Sequence, residues 1–526
     1  MTKGNRIAKA AALIMIVTLA GRFLGFIREM LTARHFPVEL VDSYVVAYTL
    51  PNIFGITMTG AFMAAFIPTF TQLMEQGDRE RAWRLALTVF NAVVLLFAVL
   101  VGLGMVFAPT VVDWIAPGFA NERSPETVHL TVELMRIMFP TLLFASVGGI
   151  TMGVLNSLDH FLMPSLGPLA ASLTVVAAIL FVSPSMGIYA LAAGTLVGLF
   201  LQTAVQIPAM IKKGFRYRWL LDLNDPLVRQ VGVLVIPVLI GVGIGQVNIL
   251  IDRNLASGLP AGSVSMLNFA NQVYQLPMGI IVQAISVPIF PAFSALAAQK
   301  DMPGLHRTVG RGTNYYSLLL IPMTAGLMVL AVPTTRIIFE RGAFTPENTV
   351  GTAVALFWYA LGLLPAGMRD LYTRVFYALQ DTKTPVKIGA LCVGVHIALN
   401  LALIDSMGHG GLALATSLSA LLNMVILGWI LYRRTGGWNV GSQLIIGAKA
   451  LVASLVMAAV VWEVNQYLQL WLGARRGILE LLSLSGSIAT GVVVYGVMIW
   501  LLRIDEVGLL LDMVKAKWRA RFGGAA

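Results

Sequence analysis

RFLGFIREMLTARHF at 22–36 and DSYVVAYTLPNIFGITMTGAFMAAFIP at 42–68 decide how the rest of the chain is read. Both runs are apolar enough to enter a bilayer. Yet the first carries Arg22, Arg28 and Arg34, and the second opens on Asp42. On insertion scales an arginine at the centre of a spanning helix costs about 2.5–3.5 kcal/mol, so Arg22 and Arg28 facing lipid would cost roughly 5–7 kcal/mol. Ionisable residues persist at that depth where a wet cavity or a partner receives them, which makes them site candidates. Gly21 and Gly25 flank the first arginine, and Pro51 and Gly55 interrupt the second run. Broken or bent helices at membrane depth are tolerated where they line protein or a cavity. The two segments are therefore expected to wall a cationic cavity.

Composition points the same way. Of 526 residues, 58% are hydrophobic and 12% charged, with a mean hydropathy of +0.82. That charged fraction is about half the roughly 25% of soluble domains, so the chain falls in the membrane class. The net charge of +11 could suggest nucleic acid, but its placement speaks for membrane orientation and no nucleic-acid partner is expected. The single cysteine, Cys392, sits in an apolar run and offers neither a disulfide nor a thiolate metal cluster. Lys3, Arg6 and Lys9 before an apolar run imitate a signal peptide. No small-residue cleavage site follows and Arg22 interrupts the run, so a retained first span is expected.

Apolar runs predict fourteen spans, from 7–33 to 478–502, which places both termini on one side. With those termini cytoplasmic, 24 of the 36 basic residues fall on cytoplasmic segments, among them Arg79, Lys212, Lys300, Lys383, Arg433 and the tail from Lys515 to Arg521. The outer loops hold only Arg123, Arg253, Arg336, Arg341, Arg475 and Arg476. This is the asymmetry of the positive-inside rule.

The chain also repeats itself. At a constant offset of 221, Pro125-Glu126 matches Pro346-Glu347, Pro164 matches Pro385, Met186-Gly187 matches Met407-Gly408, and Lys212-Lys213 matches Arg433-Arg434. Six spans per half is an even number, so the halves insert in the same orientation, a transporter architecture with its site at the repeat interface. The expected fold is an all-α polytopic membrane protein. It has an N-terminal lobe (1–218), a pseudo-symmetric C-terminal lobe (219–437), and two additional helices with a basic cytoplasmic tail (438–526).

Several motifs carry a family resemblance. They are RFLGFIRE at 22–29, Asp42 followed by LPN at 50–52, GAFMAAFIPTF at 60–70 and APGF at 116–119. The rest are LNSLDHFLMP at 155–164, GSVSMLNFANQVYQLPMGI at 262–280, RVFYALQDTKTPVKI at 374–388 and GLALATSLSA at 411–420. With these the chain resembles the MurJ/MviN family of lipid II flippases, in the multidrug/oligosaccharidyl-lipid/polysaccharide exporter superfamily. The resemblance implies two six-helix lobes forming a V, with two extra helices that help make a groove for a lipid tail. It implies alternating access that carries undecaprenyl-diphosphate-linked disaccharide-pentapeptide (lipid II) to the outer leaflet of the bacterial cytoplasmic membrane, for cell-wall synthesis. Membrane lipids and other cell-wall synthesis proteins are its candidate partners.

The residues carried over as diphosphate- or cavity-binding are Arg22, Arg28 and Asp42. The chain departs from the family's pattern where an arginine often follows the LPN, having Phe54-Gly55-Ile56 there, and in the eighth helix, where it has Gln272. Arg253, Arg369 and Arg374 are candidates to supply the missing charge. A guanidinium suits a diphosphate because it donates forked hydrogen bonds and stays charged. The competing reading of Arg28 is a salt bridge to Glu29 or Asp42; Asp42 is expected to orient an arginine or act as a gate latch, with a plain helix-end residue as the alternative.

Asp252, Asn400 and Thr416 are oxygen-bearing candidates for a monovalent cation such as Na⁺; ordinary interhelical hydrogen bonds are the alternative. The membrane potential is a second energy source, worth about 2.3 kcal/mol per charge per 100 mV. Glu133 and Arg136, one turn apart, are expected to pair, and the GVGIG run at 241–245 is expected to pack helices closely. No P-loop or H-E-x-x-H motif is present, so no enzyme activity and no further cofactor are expected. Three alternatives stay open: a flippase for another polyprenyl-diphosphate glycan, a small-molecule exporter with an acidic cavity, and an intramembrane glycan polymerase using Asp252 and Asp405.

Overall fold

A computed structural model describes residues 3–471 and 477–504, and all the regular structure among them is helical. Arg475, Arg476 and the basic tail from Lys515 lie outside the described residues, as do the side chains of Lys3, Arg6 and Lys9. Among the described residues, ten helices are long and apolar enough to cross a membrane, or twelve if two bent pairs each count as one span. The expectation of fourteen exceeds this: Lys3–His35, and Ser263–Pro277 with its continuation Gln283–Ala298, are outside that set.

The proline and glycine breaks do not fall where expected. Val38–Glu75 runs unbroken through Pro51 and Pro68, and Lys3–His35 continues through Gly25. The sharp bends lie instead between Met302–Val329 and Ala331–Phe339 (73°) and between Pro346–Ala360 and Leu363–Ala378 (42°).

The sequence repeat is written into the backbone. Leu162–Met186 and Lys383–Met407 are both 25 residues long. Each ends on a glycine with nearly identical left-handed geometry, φ 55° ψ −137° at Gly187 and φ 55° ψ −136° at Gly408. An L side chain pays heavily there, which explains glycine at both positions. The residue opening the preceding connection is also left-handed in both halves, Asp159 at φ 56° and Gln380 at φ 59°. Asp78 and Asp301 cap corresponding helices, accepting from Arg81 N at 3.1 Å and Gly304 N at 2.9 Å.

Packing divides the chain into two compact units, 1–265 with 341–345, and 266–340 with 346–526. The first includes Pro226–Ser257, the helix that the repeat assigns to the second half, which packs against Val38–Glu75. The first core gathers Phe66, Phe70, Phe97, Ile150 and Val154, each at most 1% exposed. The second is built on Phe293, Tyr316, Leu371, Phe376 and Leu427, and the Tyr495 hydroxyl donates to Leu318 O at 2.7 Å to tie the last described helix to it. The GVGIG run is not a packing stripe: a Cβ at Gly241, Gly243 or Gly245 would meet nothing within 4 Å.

Candidate functional site

Arg28 lies on Lys3–His35, whose glycines pack it against Leu162–Ala177; a Cβ at Gly21 would sit 3.8 Å from Leu169 N. Its partner is Glu29, not Asp42: Nε and Nη2 donate to the same Glu29 Oε1 at 3.2 and 2.7 Å. The pair is asymmetric, with 31% of the arginine side chain exposed and 11% of the glutamate. Nη1 is uncommitted among the described residues. Tyr44 and Tyr48, stacked 6.2 Å apart on the neighbouring helix, lie within electrostatic reach of the guanidinium. Arg22, further back on the same helix, is exposed and makes no hydrogen bond or ion pair among the described residues.

Asp42 does something different. It is fully buried against four donor atoms, Arg123 Nη1 at 2.8 Å, Gly262 N at 2.7 Å, Ser265 N at 2.7 Å and Ser265 Oγ at 2.6 Å, the last sharing its single hydrogen with Val38 O at 2.8 Å. An ionised carboxylate offers about four lone-pair sites, so none is left for a cargo. Its geometry is that of a latch, binding the start of Val38–Glu75 to the turn at 259–265. Arg253 serves the same turn, donating to Val264 O at 3.0 Å. Gly118 holds the end of the helix before that turn, its N–H donating to Ser257 Oγ at 3.0 Å. In the sequence Arg123 stands out only as an outer-loop cation, and Ser265 does not stand out at all. The signal for both lay in the quoted motifs, APGF four residues before Arg123 and GSVS ending on Ser265.

The remaining candidates divide between the units. In the second, Gln272 is half-buried with no hydrogen-bond partner among the described residues. Arg369 is exposed, within electrostatic reach of Tyr274. Arg374 is committed to Asp370, one turn earlier, at 2.8 Å, and that carboxylate also accepts from Ser286 Oγ at 2.6 Å.

Of the cation candidates, Asp252 belongs to the first unit and Asn400 and Thr416 to the second. Asn400 is buried with its Nδ2 3.1 Å from His396 Nε2, and Thr416 Oγ1 donates to Leu412 O at 3.0 Å on its own helix. Glu133 and Arg136 do not pair. Glu133 accepts from the Tyr189 hydroxyl, and Arg136 Nε donates to Met105 O at 3.2 Å.

The cavity that opens beside Val38–Glu75 within the first unit is not cationic. It holds about 300 Å³ and is bounded by Tyr48, Asn52, Thr59 and Gln202, with Gly55 and Gly149 in its walls. No arginine lines it.

A multi-pass helical chain of two like-patterned halves, with a partly exposed guanidinium on its first helix, is a transporter fold. The solved inward-facing structure of a multidrug-resistance transporter of the MATE family, in the MOP superfamily, shares that fold with a TM-score of 0.68 at 10% identity, over 81% of this chain and 98% of the other. A structure of the lipid II flippase MurJ in an inward-closed conformation matches with a TM-score of 0.78 at 25% identity, over 93% of this chain and 98% of that one.

The family model "Lipid II flippase MurJ" matches residues 36–475, and the chain belongs to that family. Among its relatives are a probable lipid II flippase MurJ of Synechocystis sp., 31% identical over 98% of both chains, and the lipid II flippase MurJ of Burkholderia cenocepacia. The latter is 30% identical over 84% of this chain and 87% of the other.

Proposed function

We propose that this protein translocates lipid II, the polyprenyl-diphosphate-linked peptidoglycan precursor, from the inner to the outer leaflet by alternating access. The observation that carries the reading is the Arg28 guanidinium. It is partly exposed on an apolar helix, held by Glu29 through Nε and Nη2, and has Nη1 free to donate. A diphosphate is the group such a fork receives. Glu29 orients the guanidinium and Tyr44 and Tyr48 shield it, while Arg22, the other exposed cation of the helix, attracts the anion on approach. Gln272, Arg369 and Arg374 are proposed to meet the headgroup from the second half, and Asp42 to hold a closed state as a latch.

The inside-negative potential favours outward movement of an anionic headgroup by about 2.3 kcal/mol per charge per 100 mV. A monovalent cation on Asp252, Asn400 or Thr416 is a further proposal, tested by replacing sodium with choline in a transport assay. The proposed orientation keeps both termini in the cytoplasm, on the basic-residue asymmetry. The deciding experiment depletes the protein in cells lacking a redundant flippase and assays which leaflet holds lipid II. Accumulation in the inner leaflet is expected; unchanged outward exposure overturns the reading.

A further inference from the structure

The 300 Å³ cavity of the first unit has no part in recognising a diphosphate, yet its volume is in the range of about 300–1,000 Å³ typical of ligand sites. Its lining excludes several occupants. Among the described residues no Asp, Glu, Lys, Arg or His borders it, so a phosphate or a metal cation would be stripped of water with no counter-charge. Ile56, Ala145, Met152 and Leu199 make much of the wall apolar, but a hydrocarbon tail would leave its polar groups without partners. Tyr48, Asn52, Thr59 and Gln202 all face the space, and none of their side chains is hydrogen-bonded to another described residue. Gln206, which also borders the cavity, shows the contrast: its amide oxygen receives Thr151 Oγ1 at 3.2 Å and its nitrogen donates to Gln202 O at 3.0 Å.

The four free groups have a definite complement. Asn52 and Gln202 each present two donors and an acceptor, and the Tyr48 and Thr59 hydroxyls can do either. Asn52 stands on Val38–Glu75 and Gln202 on Tyr189–Ala204, so two carboxamides approach from different walls. A secondary amide, with one N–H and one C=O pointing in opposite directions, satisfies both at once. Pro168 adds an acceptor, because its missing N–H leaves the Pro164 carbonyl without its helical donor, and both prolines line the cavity. The walls are kept close by glycine: a Cβ on Gly149 would lie 2.7 Å from Thr59 Oγ1.

We infer that this cavity is a binding site for an uncharged, secondary-amide-bearing group, an N-acetylated sugar or a peptide unit. The inference deepens the transport reading and rests on it for the cargo's identity: Tyr48, which borders the cavity, is also within reach of Arg28. The same cargo's amide-rich headgroup would thus be gripped beside its diphosphate.

The test uses the full-length protein in nanodiscs and saturation-transfer NMR with three soluble, phosphate-free probes: methyl N-acetyl-β-D-glucosaminide, N-acetyl-D-alanine methylamide, and methyl β-D-glucoside. Transfer to the acetyl methyl of one or both amide probes is expected, which separates sugar from peptide as the source, and none to the glucoside. Asn52→Leu with Gln202→Leu should weaken the amide signal at least tenfold. If that double variant fails to fold, Asn52→Ser and Gln202→Ser singly should each reduce it.

Silence from both amide probes, an equal signal from the glucoside, or an unchanged signal in the folded variants overturns the inference. Arg28→Ala should leave probe binding intact. A wild type that binds the amide probes but moves no lipid II therefore rejects the transport reading and not the cavity assignment.

Discussion

Arg123 donates from Nη1 to Asp42 Oδ2 at 2.8 Å, with 8% of the arginine side chain exposed and none of the aspartate's. The guanidinium also lies over the Phe119 ring, 4.3 Å from its centroid. Removing one member of a buried pair strands the other charge, at a cost of about 3–5 kcal/mol. Arg123→Ala is expected to destabilise the protein by that order. Asp42→Asn strands the Arg123 charge in the same way and turns an amide donor onto donors that one carboxylate oxygen now receives, so it should cost as much. Thermal unfolding in detergent measures both, and an unchanged midpoint for Arg123→Ala would show that the latch contributes nothing.

Arg28 should respond to substitution as a fork and not as a bare charge. Arg28→Ala is expected to abolish lipid II translocation and also to lower the unfolding midpoint, because it strands the buried Glu29 carboxylate, the arginine's ion-pair partner among the described residues. Arg28→Lys keeps the charge and loses the planar donor pair. One charge-assisted hydrogen bond is worth about 1.5–3 kcal/mol, so binding of undecaprenyl diphosphate should weaken about 10- to 100-fold. Equal affinity of the lysine variant would remove the bidentate role.

Gly118 is intolerant of any side chain. A Cβ there would lie 2.2 Å from Gly258 N and 2.3 Å from Ser257 C. Both are backbone atoms that no rotamer change can move. Overpacking costs about 1–3 kcal/mol and sometimes more, so Gly118→Ala should lower stability at least that far. A midpoint equal to wild type would mean that Pro117–Glu122 shifts freely away from the turn.

Asp381 gives a pH signature outside the membrane-spanning helices. Partial burial alone would raise its carboxyl, but hydrogen bonds from Thr384, through hydroxyl and backbone, and the Arg434 guanidinium outweigh it and hold the group below the usual carboxylate range. A depressed folded value means the contribution is complete above the unfolded value, about 3.9, and is lost as pH falls through the lower folded one. Asp381→Asn keeps the capping acceptor but loses the charge facing half-exposed Arg434, so it should reduce stability by the same amount at pH 8 and pH 5, up to about 1 kcal/mol. The difference should close only below about pH 3.9. A difference that varies between pH 5 and 8 would contradict this.

Lys213 and Arg434 occupy equivalent places in the two halves and bind equivalent connections. Lys213 Nζ donates to Leu158 O at 3.2 Å, and Arg434 binds Asp381. That correspondence was legible as a fixed offset of basic pairs and prolines. Backbone geometry such as the left-handed Gly187 and Gly408 depends on local residue type, and local residue type is what a sequence displays. The two arginines of the first helix were legible for a similar reason: a charge inside an apolar run is conspicuous whatever it touches.

The partners were not legible. Asp42 meets Arg123 across 81 residues and Ser265 across 223, and nothing in either neighbourhood names the other. The neutral cavity was equally hidden, because it is bounded by side chains from separate helices, each unremarkable alone.

The sequence by itself determined the membrane class, the doubled architecture and the cationic first helix, since hydropathy, periodicity and charge are additive along a chain. Only the tertiary structure decided which charges are spent on one another and which remain to receive a ligand. Hydrogen bonds saturate and are short-ranged, so their assignment depends on how the helices come to rest.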